Sequence, residues 1–219
     1  MTSLASAGGA GGAAGSSFSA EQVAAAAASS GGTRTSSTLD LSLNRSRALP
    51  EVNLSAFSFL FAELVKHSYT RVTKIADLES KLARAGKSVG YRVLELETFR
   101  HRRGRRDKKI IPMLQFVTGP CWKSLFGKEA DALQASADEE GVYMIYEAKP
   151  CTNKYIAVPA NLGGDRALNV AAYIGGIVEG ILTGAGFAAA VQTLLAEDGR
   201  TAFVVTFEAE VVARNKLVN

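Results

Sequence analysis

The sequence has few of the residues from which covalent cross-links and metal centres are built. Its 219 residues include two cysteines, two histidines, five prolines and one tryptophan. Two cysteines are too few for a disulfide framework or for a four-ligand zinc site. The sequence contains no secretory signal pattern, so both thiols are expected to stay reduced, as in the cytosol. These shortages exclude the small disulfide-rich and zinc-stabilised classes and favour an ordinary hydrophobic core.

Enzyme signatures are also lacking. Gly86-Lys87-Ser88 resembles the end of a phosphate-binding loop, but Lys81 stands where that motif requires its first glycine. There is no Gly-x-Ser-x-Gly nucleophile turn, and the two histidines lack metal-ligand spacing. No nucleophile, base and orienting group can be assembled from the remaining residues. We therefore expect no catalysis by the chain itself, no metal site and no cofactor.

The longest apolar stretch, LNVAAYIGGIVEGILTGAGF at residues 168–187, contains a single charge, Glu179. Small residues recur every four positions on one helical face: Ala172, Gly176, Gly180 and Gly184. A glycine inside a helix costs about 1 kcal/mol relative to alanine, so the stripe predicts that a second backbone packs closely against it. A transmembrane span is the alternative reading. The polar interruptions and the strand-like sequence that follows favour a helix buried in a soluble domain.

Positive charge is concentrated in one run, residues 100–109. It contains seven Lys or Arg and one acid, a balance of +6, whereas the whole chain has a formal charge of +4. A solvated loop is one explanation of such a run, attraction to anionic lipid headgroups is a second, and nucleic-acid binding is a third. The run lacks interleaved aromatic residues, so we expect no nucleic-acid partner. The candidate membrane-surface residues are Arg102, Arg103, Arg105, Arg106, Lys108 and Lys109.

The N-terminal segment divides into two parts. In residues 1–38, 31 positions are Gly, Ala, Ser or Thr, which predicts a disordered tail. Residues 39–53 are more varied and form an expected extended arm. The residues of this arm that we expect to contact a partner are Leu39, Leu41, Leu43, Arg45 and Arg47.

A helix is predicted from residue 54, with Asn53 or Ser55 as its N-cap. Its apolar residues cover more than half of its circumference, which is more than one small core can bury, so a partner chain is expected to cover the remainder. The predicted partner interface combines this helix with the next: Phe57, Phe59, Leu60, Phe61, Leu64, Leu78 and Leu82.

The following pattern predicts an α+β fold. The second helix is expected to stop at Gly86, a third to begin near Val89, a fourth to span residues 110–126 with a bend near Pro120, and a short helix to cover residues 129–136. Strands are predicted at residues 142–146, 155–158, 191–196 and 202–208. Helices followed by such strands indicate an antiparallel sheet covered by helices on one face. We expect a single domain over residues 54–212 and a short tail at 213–219.

Several segments together resemble a known family. These are ALPEVNLSAFSFLFAELV, ARAGKSVGYRVLEL, CWKSLFGKEAD, VYMIYEAKPCTNKYIAVP and AAYIGGIVEGILTGAGF, in that order. They are similar to the Bet-three-type family, the small subunits of the TRAPP trafficking particle. The resemblance extends from about Leu39 to Phe207, and its most specific parts are WKSLFGKEAD and GIVEGIL.

The resemblance implies a four-stranded antiparallel sheet with helices against it and heterodimerisation through the first two helices. It also implies membership of a tethering and nucleotide-exchange complex for a Rab-type GTPase, peripheral on endoplasmic reticulum and Golgi membranes, in ER-to-Golgi and Golgi transport and in autophagy. In that family this kind of subunit is structural and partner-binding.

One departure from the family limits what the resemblance implies. The founding member carries an acyl chain on a cysteine near the end of the third helical segment, and residues 94–101 here contain no cysteine. Acylation is therefore not expected at that position. A small-molecule or acyl-binding sensor domain of related fold is the alternative function. A sensor is expected to be a stable homo-oligomer, whereas a scaffold subunit should need a partner for solubility.

Overall fold

The computed structural model describes residues 52–72, 74–102, 107–156, 168–196 and 198–217, with residue 102 described for its backbone alone. Within these ranges the helices are α1 (Leu54–Tyr69), α2 (Ile75–Glu97), α3 (Ile110–Phe116), α4 (Trp122–Phe126), α5 (Ala172–Gly184) and α6 (Ala209–Leu217). The strands are β1 (Ala132–Ala135), β2 (Val142–Glu147), β3 (Ala189–Leu195) and β4 (Thr201–Phe207). A π-helical turn, Thr98–Arg102, continues α2, and a second, Val117–Cys121, joins α3 to α4.

The four strands form one antiparallel sheet in the order β1-β2-β4-β3. Alternate residues point to opposite faces of a strand, and Ile145, Phe203 and Val205 are fully buried on the face that meets the helices. The predicted α+β class is therefore confirmed, and so is the predicted hairpin that joins β3 to β4. Gly199 in this hairpin has φ of 79°, a left-handed conformation that favours glycine.

Helices α2 and α5 pack backbone against backbone. A β-carbon added to Gly176 would lie 1.9 Å from the carbonyl oxygen of Ala83, and one added to Gly180 would lie 2.3 Å from that of Lys87. A β-carbon added to Gly90 of α2 would lie 2.3 Å from the carbonyl oxygen of Ile177 in α5. Only residues without a side chain permit this approach. The predicted close packing against the glycine stripe is thus confirmed, and the neighbouring backbone belongs to a second helix.

The buried side chains form two clusters. The larger one joins α3, α4, α5 and the inner face of the sheet, with Trp122 against Phe203 at a ring distance of 5.7 Å. The smaller one lies between α1, the N-terminal half of α2 and the start of α5. α1 is therefore held to the rest of the chain by its own small core, which leaves its opposite side available.

Two predictions about helices were wrong. Gly86 does not end a helix, because α2 continues through it to Glu97 and Gly86 faces α5 at the carbonyl of Tyr173. Residues 129–136 were expected to be helical, but residues 132–135 pair with β2 as strand β1. Gly127, with φ of 77°, ends α4 before this strand. The fourth predicted helix is interrupted near Pro120, because a π-helical turn that contains this proline separates α3 from α4.

Two further expectations concern short segments. Tyr155 was predicted to begin a strand, whereas the structure places it in a turn over residues 151–155. Residues 157–158 of that predicted strand lie outside the described residues. Helix α6 crosses the expected domain boundary at residue 212 and ends at Leu217. Among the described residues, no helix is both long enough and apolar enough to cross a membrane.

Candidate partner-binding surface

Helix α1 is positioned by one apolar stripe. Asn53 caps its first turn, because the Asn53 side chain accepts a hydrogen bond of 2.9 Å from the amide of Ser55. Phe57 and Phe61 stack on each other at 5.6 Å, and Phe61 meets the ring of Tyr173 in α5 at 5.2 Å. This stripe fixes the rotation of α1 and thereby determines which residues face outward.

The outward side of α1 carries two adjacent large apolar residues. Phe59 is 76% exposed and Leu60 is 75% exposed. Glu63 and Lys66 follow on the same helix as an exposed ion pair at 3.6 Å. Val52, just before the helix, is 74% exposed and was not identified from the sequence. We call Val52, Phe59 and Leu60 the α1 surface.

The structure divides the seven predicted interface residues into three groups. Phe59 and Leu60 project into solvent, and Phe57 and Leu64 are half-buried. The remaining three lie in the smaller core of the chain itself: Phe61, Leu78 and Leu82. These three side chains are covered by α1, α2 and α5 within the chain, so a contribution of theirs to an interface stays a prediction and would be indirect. Their role is to hold α1 in place.

The structure describes only two of the six predicted membrane-surface residues in full. Lys108 and Lys109 are exposed. The side chain of Arg102 and all of Arg103, Arg105 and Arg106 lie outside the described residues. The predicted arm contacts Leu39, Leu41, Leu43, Arg45 and Arg47 also lie outside them.

The start of the basic run is tied to a buried acid. The carboxylate of Glu97, at the end of α2, is fully buried. It lies 3.2 Å from the guanidinium of Arg100 and 2.8 Å from Nδ1 of His101, and it accepts a 2.7 Å hydrogen bond from the hydroxyl of Ser124 in α4. Arg100 therefore has an internal role that its position in the basic run did not suggest. The available signal was a glutamate followed by Arg and His at i+3 and i+4.

A second buried acid explains the segment WKSLFGKEAD. The indole of Trp122 donates to Glu147 at 3.1 Å, and the ammonium group of Lys128 lies 2.5 Å from the same carboxylate. Lys128 also donates to Asp131 at 2.9 Å, and the amide of Ala148 donates to Asp131 at 2.7 Å. The hydrogen bond from Lys128, followed by that from Ala148, lowers the pKa of Asp131. This network fastens α4 and β1 to β2.

GIVEGIL has an equally structural explanation. Its charged residue, Glu179, accepts a 2.6 Å hydrogen bond from Lys87 of α2, beside the close contact at Gly180. This hydrogen bond raises the pKa of Lys87. The residues that are most specific to the resemblance therefore hold the fold together, and within the described part of the chain they assemble no reaction centre.

These features define a class of protein: an α+β domain whose buried and half-buried acids form ion pairs and hydrogen bonds within the fold, and whose first helix exposes large apolar residues. The family described as Transport protein particle (TRAPP) component matches residues 57–208. The chain belongs to this family.

Several relatives support this assignment. Trafficking protein particle complex subunit 5 of Gallus gallus is 43% identical over 181 residues, which cover 83% of this chain and 93% of the relative. Its counterpart in Dictyostelium discoideum is 38% identical, covering 78% and 92%. Trafficking protein particle complex subunit 31 of Saccharomyces cerevisiae is 24% identical, covering 76% and 80%.

A solved structure is similar in fold. It is the crystal structure of a trafficking protein particle complex subunit 3 from Naegleria fowleri covalently bound to palmitic acid, with a TM-score of 0.62 and 15% identity. The similarity covers 71% of this chain and 95% of that one. It confirms the fold alone. Residues 94–101 of the present chain contain no cysteine, and the fully buried residue there is the acid Glu97.

Proposed function

We propose that the chain is a structural, partner-binding subunit of a TRAPP-type particle and that it forms a heterodimer with a neighbouring subunit through the α1 surface. The observation that carries this proposal is the exposure of Phe59 and Leu60, side by side on a helix whose opposite face is already buried. Burying one such side chain contributes about 1.5–3 kcal/mol relative to leaving it exposed. Two of them, with Val52, supply exposed apolar area of the kind that marks a protein interaction site.

The particle is proposed to tether vesicles and to exchange nucleotide on a Rab-type GTPase in ER-to-Golgi and Golgi transport. This chain contributes architecture to it and no catalytic group. Support comes from its family and from the structural use of its buried acids, since Glu97 and Glu147 are both engaged within the chain.

Peripheral membrane attachment is proposed through the basic run. Lys108 and Lys109 are exposed next to α3. Each basic residue near an anionic membrane contributes about 1 kcal/mol of attraction. The attachment would orient the particle, while the α1 surface would join it to the neighbouring subunit.

Affinity purification of the tagged full chain tests the proposal. We expect other subunits of the particle to co-purify at fixed stoichiometry, and we expect the chain expressed alone to be poorly soluble until a partner is supplied. A stable homo-oligomer without any other subunit would contradict the proposal and would favour the sensor-domain alternative.

A further inference from the structure

Among the residues that the structure describes, β3 has a neighbouring strand on one side and none on the other. It is the last strand in the order β1-β2-β4-β3, so β4 is its neighbour on one side only. The amide of Ala196 donates to Arg200 and the carbonyl of Ala188 accepts from Glu208, which fixes the phase of the ladder at both ends of the strand. Hydrogen-bonded and non-bonded pairs alternate in an antiparallel ladder.

It follows that the backbones of the even-numbered residues of β3 form hydrogen bonds with β4. The backbone amides and carbonyls of the four odd-numbered residues point to the edge of the sheet away from β4: Ala189, Val191, Thr193 and Leu195. Between described residues, no backbone hydrogen bond reaches this side. A row of unpaired donors and acceptors is a template for another strand.

Nothing in β3 protects this edge. Soluble proteins usually block edge strands with lysine, proline, inward-pointing charge or a bulge. β3 has the sequence AAVQTLL, without charge or proline, and its register with β4 runs from Ala189 to Leu195 without a bulge. A seven-residue edge of this kind in a natural protein indicates that a partner covers it.

The side chains beside this edge define what the partner must be like. Leu194 is 41% exposed and Leu195 is 72% exposed. The outer-face neighbours of Leu194 across the sheet, Ala202 and then Tyr146, are also uncharged. The guanidinium of Arg200 stacks on Tyr146 at 4.7 Å but is already paired with Asp198 at 2.6 Å. Charge complementarity with β3 therefore favours an uncharged stretch.

We propose that β3 accepts an extended, uncharged segment of another subunit of the particle, which adds to the sheet as a fifth strand. Backbone hydrogen bonds would supply the attachment, and Leu194 and Leu195 would supply apolar contact. A different subunit is the occupant because the relatives of this chain are named as individual subunits of a multisubunit particle. The site rests on backbone geometry in β3 and is independent of the α1 surface.

Residue-resolved hydrogen exchange of β3 tests the proposal by comparing the full chain without the rest of the particle, kept soluble by its α1-surface partner and called the chain alone, with the co-expressed particle. The amides of Ala190, Gln192 and Leu194 bond to β4 and act as internal controls. In the chain alone, the odd-numbered amides should exchange fast, and in the particle they should slow by at least about ten-fold. Fast exchange in the particle would overturn the proposal. Protection in the chain alone would also overturn it, because a second copy or another part of this chain would then occupy the edge.

Leu195→Pro in the co-expressed particle provides a second test. It removes an amide that points to the free edge, and proline there leaves the ladder to β4 intact. Leu195→Ala keeps that amide and serves as the matched control. Both variants lose the Leu195 side chain, so Leu195→Ala should weaken retention of the subunit bound at β3 and Leu195→Pro should weaken it clearly more, the difference being due to the backbone amide. The subunit bound through the α1 surface should stay with both variants. Retention of every subunit by a folded Leu195→Pro chain would overturn the proposal.

Discussion

A β-carbon on Gly86 would lie 2.0 Å from the carbonyl oxygen of Tyr173, so α2 and α5 can meet only while residue 86 has no side chain. This contact joins the two clusters of the fold, since Tyr173 also packs on Phe61 of α1. The position of the α1 surface therefore depends on a helix contact that lies away from it.

The first prediction concerns this contact. Gly86→Ala should destabilise the chain, although alanine is favoured in a helix by about 1 kcal/mol. The clash forces the helices apart, and overpacking costs about 1–3 kcal/mol or more. Gly119→Ala is the matched control, because no atom lies within 4 Å of the added carbon. Urea unfolding should place Gly86→Ala well below the parent and Gly119→Ala close to it. Equal stability of the two variants would contradict the close-packing account.

The second prediction concerns pH and Asp131. Its pKa is lowered in the folded chain, so the stabilisation should be fully present above the unfolded value of 3.8 and should be lost as the pH falls through the folded value. The difference in unfolding free energy between the parent and Asp131→Asn should be largest near neutral pH and should shrink below pH 3.8. A difference that stays constant down to the folded pKa would argue against the role given to Lys128.

The third prediction concerns the basic run. Replacing Arg102, Arg103, Arg105 and Arg106 with Ser should weaken binding of the particle to anionic liposomes at low salt, and the deficit should shrink as salt screens it. A control with the same change in charge replaces four exposed residues elsewhere: Arg71, Lys74, Arg84 and Arg92. Binding reduced equally by both variants would indicate a general effect of charge. Arg100 is left unchanged because it pairs with Glu97.

The fourth prediction concerns the N-terminal arm. Removing residues 1–38 should leave assembly and nucleotide release unchanged, because that composition offers little apolar surface to bury. Removing residues 1–49 should reduce binding to a neighbouring subunit or to the GTPase, because it also deletes the leucines and arginines of the arm. Stopped-flow nucleotide release and subunit stoichiometry are the two readouts. Identical behaviour of the two truncations would reduce the arm to a linker.

Sequence patterns predicted the elements whose signals are local. Three features follow from a few neighbouring residues each: the period of α1, the hairpin between β3 and β4, and the interruption of the helix at Pro120. The prediction that Gly86 ends a helix was wrong, because a helix-ending glycine and a helix-packing glycine look the same in a sequence. Only the presence of α5 distinguishes them. The prediction of a short helix over residues 129–136 was wrong, because residues 132–135 pair with β2 as strand β1. This pairing overrides their own conformational preference.

The partner interface itself stays a prediction, but the structure shows which of its candidate residues are exposed. The sequence identified α1 as more apolar than one core requires. It did not reveal that α5 contributes Tyr173 to the inner side, which assigns Phe61 to the core and leaves Phe59 outside. Phe59 and Phe61 are two residues apart, so their side chains point about 200° apart around the helix axis. The contact of Phe61 with Tyr173 therefore places Phe59 on the opposite side of α1.

The most direct test of the central claim is native mass spectrometry of the co-expressed particle carrying Phe59→Asp and Leu60→Asp. The matched control is Ile111→Asp, an exposed apolar residue at the start of α3. The account predicts that the double variant folds, as judged by circular dichroism, and dissociates from one neighbouring subunit, whereas the Ile111→Asp particle stays whole. A double variant that remains fully assembled would contradict the claim that the α1 surface binds a partner subunit.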